Sequence, residues 1–577
     1  MAGRRRDGVV QGTVFAALLT SLTLACGSND AGGGVTPPTG STNGTLIVGG
    51  NTSLDVGSPL SLAAGSTGGE FVLVVVDTAV DGSSKAAPFQ ITASGVTSAG
   101  AVSGPTTSRA PLPTSSLADG PRLDFSFAAR LNERAHPRLG RGVAAARRAW
   151  TNRFTTGNGL SASRSFVPLQ IGDTLTLNAS SHACDSALKR LARVVAIGSQ
   201  SIVVADTLNP SGGFTAADYQ RFASRFDTLV YPVDVSNFGA PAVFGSSGKI
   251  LLFFTTAVNA LTPKGATSFV GGFFFDRDLF PIVSTPDFEG CAGSNVSNLF
   301  YLLTPDPTGT VNGNIRRTGF VDSVTTAVLA HEFQHLINAS RRLYVNKSSQ
   351  AFEVVWLNEG LSHIAEELLF YHEGAAAPKL NLDLSEVRGS VQLRDAFNAD
   401  QSSNAGRYRQ YLVAPAANSP IRNDDSLETR GATWDFLRYA ADRKTRAGGT
   451  DASVWSALVN SSTNGIANLR GVFGANVGAM LRDWSVSHYT DDVVTGVNID
   501  FTQPSWNWHS LYPAFGTGAS VYPLSVTSLP VAGASGTVIP GGAAYYRFSV
   551  AANATASLTL TSSASSGIPL GVVVRLR

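Results

Sequence analysis

The pentapeptide HEFQH at 331–335 constrains this chain more than any other stretch, because one backbone conformation makes chemical sense of it. Histidine is scarce, 8 in 577 residues, yet two lie four apart around a glutamate. Residues four apart share a helix face, so His331 and His335 present their imidazoles to a common point. Glu332, about 100° round the axis, reaches a water held at that point. A zinc ion bound there is a Lewis acid that lowers the pKa of its water, and an adjacent carboxylate takes the proton. The flanks permit the helix. TAVLA leads in without Gly or Pro, Asp322 or Ser323 stands where a cap belongs, and Phe333 and Leu336 supply core anchors. Three fixed letters also arise by chance on a partly buried helix, so a third ligand is required.

The stretch VVWLNEGLSHIAEELLFYH, 354–372, reads as a second helix and supplies one. Glu359 follows His335 by 24 residues, enough chain for one helix to end and another to return antiparallel. Here the sequence resembles the gluzincin metallopeptidases, in which HExxH is followed some way on by a glutamate in an N-E-G or N-E-A setting. HEFQHLIN with LNEGLS resembles the hyicolysin-like family of secreted bacterial peptidases. The resemblance spans about 166–515 and is specific over 328–337 and 356–367. It implies a zincin-like core with Zn2+ held by His331, His335 and Glu359, and Glu332 as general base acting on a zinc-bound water. It also implies a protein or peptide substrate. No G-x-M-E-N-type motif is visible, which favours an endopeptidase.

The chain departs from the family at two places. Some relatives carry an orienting aspartate four residues after the ligand glutamate, where this chain has His363. Glu366, on the same face as Glu359, is the alternative acceptor for a zinc-bound histidine. Read without function, His363 is a core or surface histidine and Glu366 a solvated charge. The relatives' oxyanion-stabilising tyrosine falls at Glu428, leaving Tyr408, Tyr411, Arg430 and His488 as unranked donors. Asp276, Asp278, Asp287 and Asp306 lack EF-hand spacing and make no case for calcium. Aromatics in PSWNWHSLYP, 504–513, read as a packed anchor, with a substrate cleft as the rival.

The rest of the chain divides by composition. Residues 1–25 read as a signal peptide: Arg4, Arg5 and Arg6, then an apolar run ending in LTLAC. That ending resembles a bacterial lipobox, which implies lipid on Cys26 and an outer-membrane or surface location, with free secretion as the alternative. Residues 26–44 are a Gly/Pro/Ser/Thr tether. Strand-like runs over 45–98 and 520–577 predict a small β-domain at each end. Residues 99–165 read as a linker or pro-region with an arginine-rich helix broken near Pro137. Residues 166–321 mix strands with short helices, and 322–515 read as mainly helical, with helices over 323–344, 358–372, 431–446 and 476–490.

Three cysteines remain to be placed. With Cys26 lipidated, Cys184 and Cys291 form a disulfide in an oxidising compartment, or else stay as two buried thiols. A net charge of +2 excludes a nucleic-acid partner. The expected fold is thus multidomain α+β: a mixed α/β lobe, a helical lobe carrying the zinc site, and small β-sandwich-like flanking domains. The expected function is an exported zinc peptidase. The competing class is a surface binding or adhesion lipoprotein whose peptidase-like core does not cleave.

Overall fold

Apolar runs that never alternate with polar residues mark strands buried on both faces, and SIVVAD and ILLFF are such runs. A computed structural model describes residues 43–82, 85–98, 122–124, 126–155, 168–185, 187–244, 248–514, 522–564, 567 and 569–577. The segment read as a signal peptide, Cys26 and all but the last residues of the expected tether lie outside the described residues, as do 99–121 of the expected linker. Ser201–Asp206, Ile250–Phe254 and Leu299–Leu302 run parallel at the centre of a six-stranded sheet. Lys189–Ile197 and then Thr174–Asn178 add antiparallel on one side. On the other side the short strand Gly272–Phe274 adds antiparallel and forms the edge.

Helices follow the sheet. The histidine helix, Thr318–Ser340, is buried without interruption from Thr325 to Asn338. It begins a turn earlier than the sequence predicted, after Arg317, with no side-chain cap. Asp322 lies inside it and pairs with Arg221 at 2.7 Å instead. The glutamate helix, Val355–Glu373, packs against it, followed by Ser402–Val413, Leu427–Lys444 and Val477–Thr490. Ser402–Val413 and Leu427–Lys444 cross at Gly431, where a Cβ would meet the Arg407 carbonyl carbon at 2.3 Å. Only glycine permits that approach. No described helix is long and apolar enough to cross a membrane.

The two β ends correct the sequence reading. They do not form separate domains; their strands interleave in one sandwich. Ala87–Ser94 lies between Ala534–Val538 and Thr555–Ser562 in one sheet. Gly69–Asp77 lies between Ala543–Val550 and Pro569–Arg575 in the other. Local alternation fixes a strand but not its partner, which is why sequence pattern assigned the strands and missed the pairing. Phe71, Leu73 and Val75 fill the sandwich interior, whereas Val72, Val74 and Val76 join the main core. A strand apolar on both faces therefore seats the sandwich on the helical body, where Tyr545 and His488 Nδ1 are 2.9 Å apart.

The arginine-rich segment is a second correction. It forms one helix, Ser126–Thr155, with Pro137 inside it rather than at a break. A proline removes its own N–H, and contacts on both sides of it hold this helix in place. His136 Nε2 lies 2.6 Å from Asp276, and Arg138 pairs with Asp185. Cys184 and Cys291 form a disulfide. Beside it, buried Arg277 bonds the carbonyls of His182, Ala183 and Asn178, tying the loop after the edge strand to the sheet's far side.

Candidate metal centre

Helical spacing brings His331 and His335 to one side, and their Nε2 atoms lie 3.2 Å apart. The antiparallel return of the glutamate helix delivers Glu359 to the same point. Its Oε2 is 3.3 Å from His331 Nε2, and its Oε1 is 3.6 Å from His335 Nε2. Three donors on a tetrahedral ion, each about 2.0–2.1 Å from it, stand about 3.3 Å apart. The observed triangle has that size. None of the three is more than 5% exposed, so this is a buried donor set rather than a surface cluster.

Four acidic side chains, Glu332, Glu359, Glu366 and Asp425, gather here with two arginines, Arg407 and Arg430. Glu332 is fully buried, and its Oε2 accepts from the Phe274 backbone N–H at 2.8 Å. Its Oε1 is buried with no hydrogen-bond partner among the described residues. Burial pushes the Glu332 carboxyl up to about 7, a range suited to taking and returning a proton near neutrality.

A second ring of contacts fixes the ligands. His331 Nδ1 donates to Glu366 Oε1 at 2.8 Å, which turns Nε2 toward the triangle. Burial opposes protonation of His331, but Glu359 and Glu366 outweigh it and raise the ring to about 9. Burial lowers His335 to about 4. His363 is buried, with its Nδ1 2.9 Å from Glu366 Oε1, and Arg407 lies 3.4 Å from Glu366 Oε2. Burial would raise Glu366, yet His363 and Arg407 hold it well below the usual carboxylate range. His363 is a core histidine, whereas Glu366, read from the sequence as a solvated charge, is buried.

Four further groups complete the set: Arg430, named from the sequence only as an oxyanion donor, and three that the sequence did not single out. Arg430 Nη1 donates to Glu359 Oε2 at 2.5 Å, and its Nε donates to Asp425 at 2.7 Å. Arg407 stands behind Glu366 in the same way. Ser362 Oγ lies 3.1 Å from His335 Nδ1 and donates to Gln334 at 2.7 Å. The fourth is the Phe274 N–H. Of the four oxyanion candidates, Arg430 contacts the triangle. Tyr408, Tyr411 and His488 pack instead in an aromatic cluster with Trp484 and Trp508. Trp506 and Trp508 are buried in that region, donating to Glu367 and Asp435, so PSWNWHSLYP is a packed anchor. The aspartates do not gather: Asp276 meets His136, Asp278 meets Tyr301, Asp287 meets Arg148, and Asp306 accepts from Thr310 and Val311.

Over 267 residues the chain is 24% identical to the neutral metalloprotease ShpI of Staphylococcus hyicus. That match covers 44% of this chain and 57% of the other, so the chain spans little more than half the relative's length. No family model matches.

Proposed function

We propose that this chain is a zinc-dependent metallopeptidase with a zincin-like core, acting as an endopeptidase. The observation that carries the reading is the meeting of His331, His335 and Glu359 at 3.2–3.6 Å with the unpartnered Glu332 Oε1 beside them. The similarity to ShpI, named a neutral metalloprotease, supports it. Two imidazoles and a carboxylate suit zinc among divalent ions. Zinc held there would supply Lewis acidity, lowering the pKa of water and polarising a peptide carbonyl.

The chain's own groups do the rest. Glu332 takes a proton from the attacking water as the new C–O bond forms at the carbonyl carbon. When the C–N bond breaks, Glu332 returns that proton to the amine nitrogen. The Phe274 N–H holds Oε2, which leaves Oε1 to do the transfer. Glu366 keeps the His331 ring in one tautomer and orientation, and Ser362 sits against the His335 ring. On the same reading the LTLAC stretch marks export with lipid on Cys26, placing the enzyme at a membrane surface.

Glu332→Gln keeps the shape of the side chain and removes its basicity. Purified with one bound zinc per chain, it should hydrolyse casein at least about a thousand-fold more slowly than wild type. A variant that cleaves as fast as wild type would overturn the assignment. Full zinc occupancy with no hydrolysis by wild type of any protein in a broad panel would favour the binding-protein alternative.

A further inference from the structure

Large aliphatic side chains left in water are ordinary when scattered and informative when gathered. Five gather where three segments of this chain touch. Ile47 is 77% exposed, and Val48, Leu380, Val493 and Ile499 are 40–58% exposed. Ile47 and Val48 sit on a turn that the Gly50 N–H closes by donating to the Ile47 carbonyl at 2.8 Å. Val493 and Ile499 stand beyond the helix Val477–Thr490, and Leu380 beyond the glutamate helix. The turn abuts the 493–499 loop so closely that a Cβ on Gly49 would meet the Gly496 carbonyl carbon at 2.4 Å. Asn381 Nδ2 joins the third segment by donating to Asp492 at 2.8 Å. Arg575 holds the turn in place. Its side chain donates to the Leu46 carbonyl at 2.7 Å, and its backbone bonds Gly49 and Gly50 at 2.9 and 3.0 Å. Val494 and Phe501 are buried, while Val493 and Ile499 beside them face outward.

The place of this face in the chain says what it meets. Ile47 lies four positions after Asn43, where the described strands begin, and Asn43 lies 17 positions after Cys26. A Gly/Ser-type chain of that length keeps its ends about 23 Å apart on average. A lipid on Cys26 therefore raises the concentration of bilayer at the surface around Asn43 above that at any remote face. We infer that Ile47, Val48, Leu380, Val493 and Ile499 form a membrane-docking face, which enters the interfacial layer of the bilayer that anchors Cys26. The inference rests on the lipid-anchor part of the proposed function and deepens it by naming the surface that meets the lipid. Charged neighbours are engaged within the protein: Lys379 donates to Thr445, Asp492 accepts from Asn381, and Arg446 pairs with Asp500 at 2.7 Å. The face thus offers lipid an apolar contact rather than a charge for anionic headgroups.

The test places a dye on the face. With Cys26 lipidated and Cys184 bonded to Cys291, an added cysteine is the single free thiol of the full-length chain. Ile47→Cys, Val493→Cys and Leu191→Cys would each be labelled with a nitrobenzoxadiazole dye and reconstituted into phosphatidylcholine vesicles with or without brominated acyl chains. Leu191 is as exposed as Val493 but stands on the six-stranded sheet, so it serves as the remote control. Bromine should quench the dye at 47 and at 493 at least about three-fold more than at 191. Raising salt to about 1 M should leave that ratio unchanged. Flotation of the vesicles reports the anchor separately. A chain that floats, yet is quenched equally or more at 191, overturns the docking face and leaves the lipid anchor standing. A chain that does not float overturns both. Ile47→Asp with Val493→Asp, labelled through Val48→Cys, should still float and lose the excess quenching; excess quenching that persists also overturns the inference. Casein hydrolysis enters none of these readouts, so the peptidase reading stands or falls apart from them.

Discussion

Gly431 offers the sharpest quantitative test, because it controls two arginines at once. A Cβ built there meets the Arg407 carbonyl carbon and the Tyr408 nitrogen at 2.3 Å, both of them backbone atoms. Ordinary carbon contacts begin near 3.5 Å, so Gly431→Ala must part the two helices by about 1 Å. No flexible side chain can absorb that. Overpacking of this kind costs about 1–3 kcal/mol. The helices that part carry Arg430, bonded to Glu359, and Arg407, beside Glu366. A shift of about 1 Å in catalytic geometry costs on the order of a hundred-fold in rate. Gly471→Ala is the control: it too is helical, with nothing within 4 Å of its Cβ, and it should stabilise by up to about 1 kcal/mol. Urea melts of both variants, zinc competition against a chromophoric chelator, and casein hydrolysis give the three readouts. If Gly431→Ala matches wild type in stability and rate, the helix crossing does not hold the ligand set.

Other expectations follow from single contacts. Glu366→Gln should weaken zinc about 10–100-fold in the same chelator competition, since it neutralises the carboxylate that accepts from His331 Nδ1. Replacing Cys184 and Cys291 with serine opens a loop of 107 residues and should cost up to about 5 kcal/mol in a denaturant titration. Asp491, buried beside Asp492, has its carboxyl raised to about 8, so the folded state holds a proton that the unfolded state releases near pH 4. Stability from this group is present at low pH and is lost as pH rises through about 8. Asp491→Asn should match wild type near pH 4 and exceed it at pH 9 in urea melts.

The site divides into what spacing can reveal and what it cannot. His331, His335 and Glu332 share one turn, and Glu366 follows Glu359 on the same helix face, so helical periodicity alone picks out both pairs. Glu359 becomes legible once a second helix is expected to return antiparallel. Arg430 reaches Glu359 from 71 residues away, Arg407 reaches Glu366 from 41, and the Phe274 N–H reaches Glu332 from 58. No local period connects such groups; tertiary packing does. The fold divides in the same way. GEFVLVVVD and AAYYRFSV declare themselves as strands, but nothing in either says that it pairs with the other across most of the chain. Pro137 misled because a local rule for helices ignores anchors such as Asp276 and Asp185 that lie far along the sequence.

The interleaved sandwich also sets a timetable for synthesis. Arg547 bonds Glu70 at 2.5 Å across 477 residues, and Pro569–Arg575 is the neighbour that Gly69–Asp77 needs on its other side. A ribosome adding about 5–20 residues per second leaves the FVLVVV strand without either partner for roughly half a minute or more. Through that interval six consecutive apolar residues stand unpaired on a nascent chain, so yield should depend on what shields them until the C-terminus emerges.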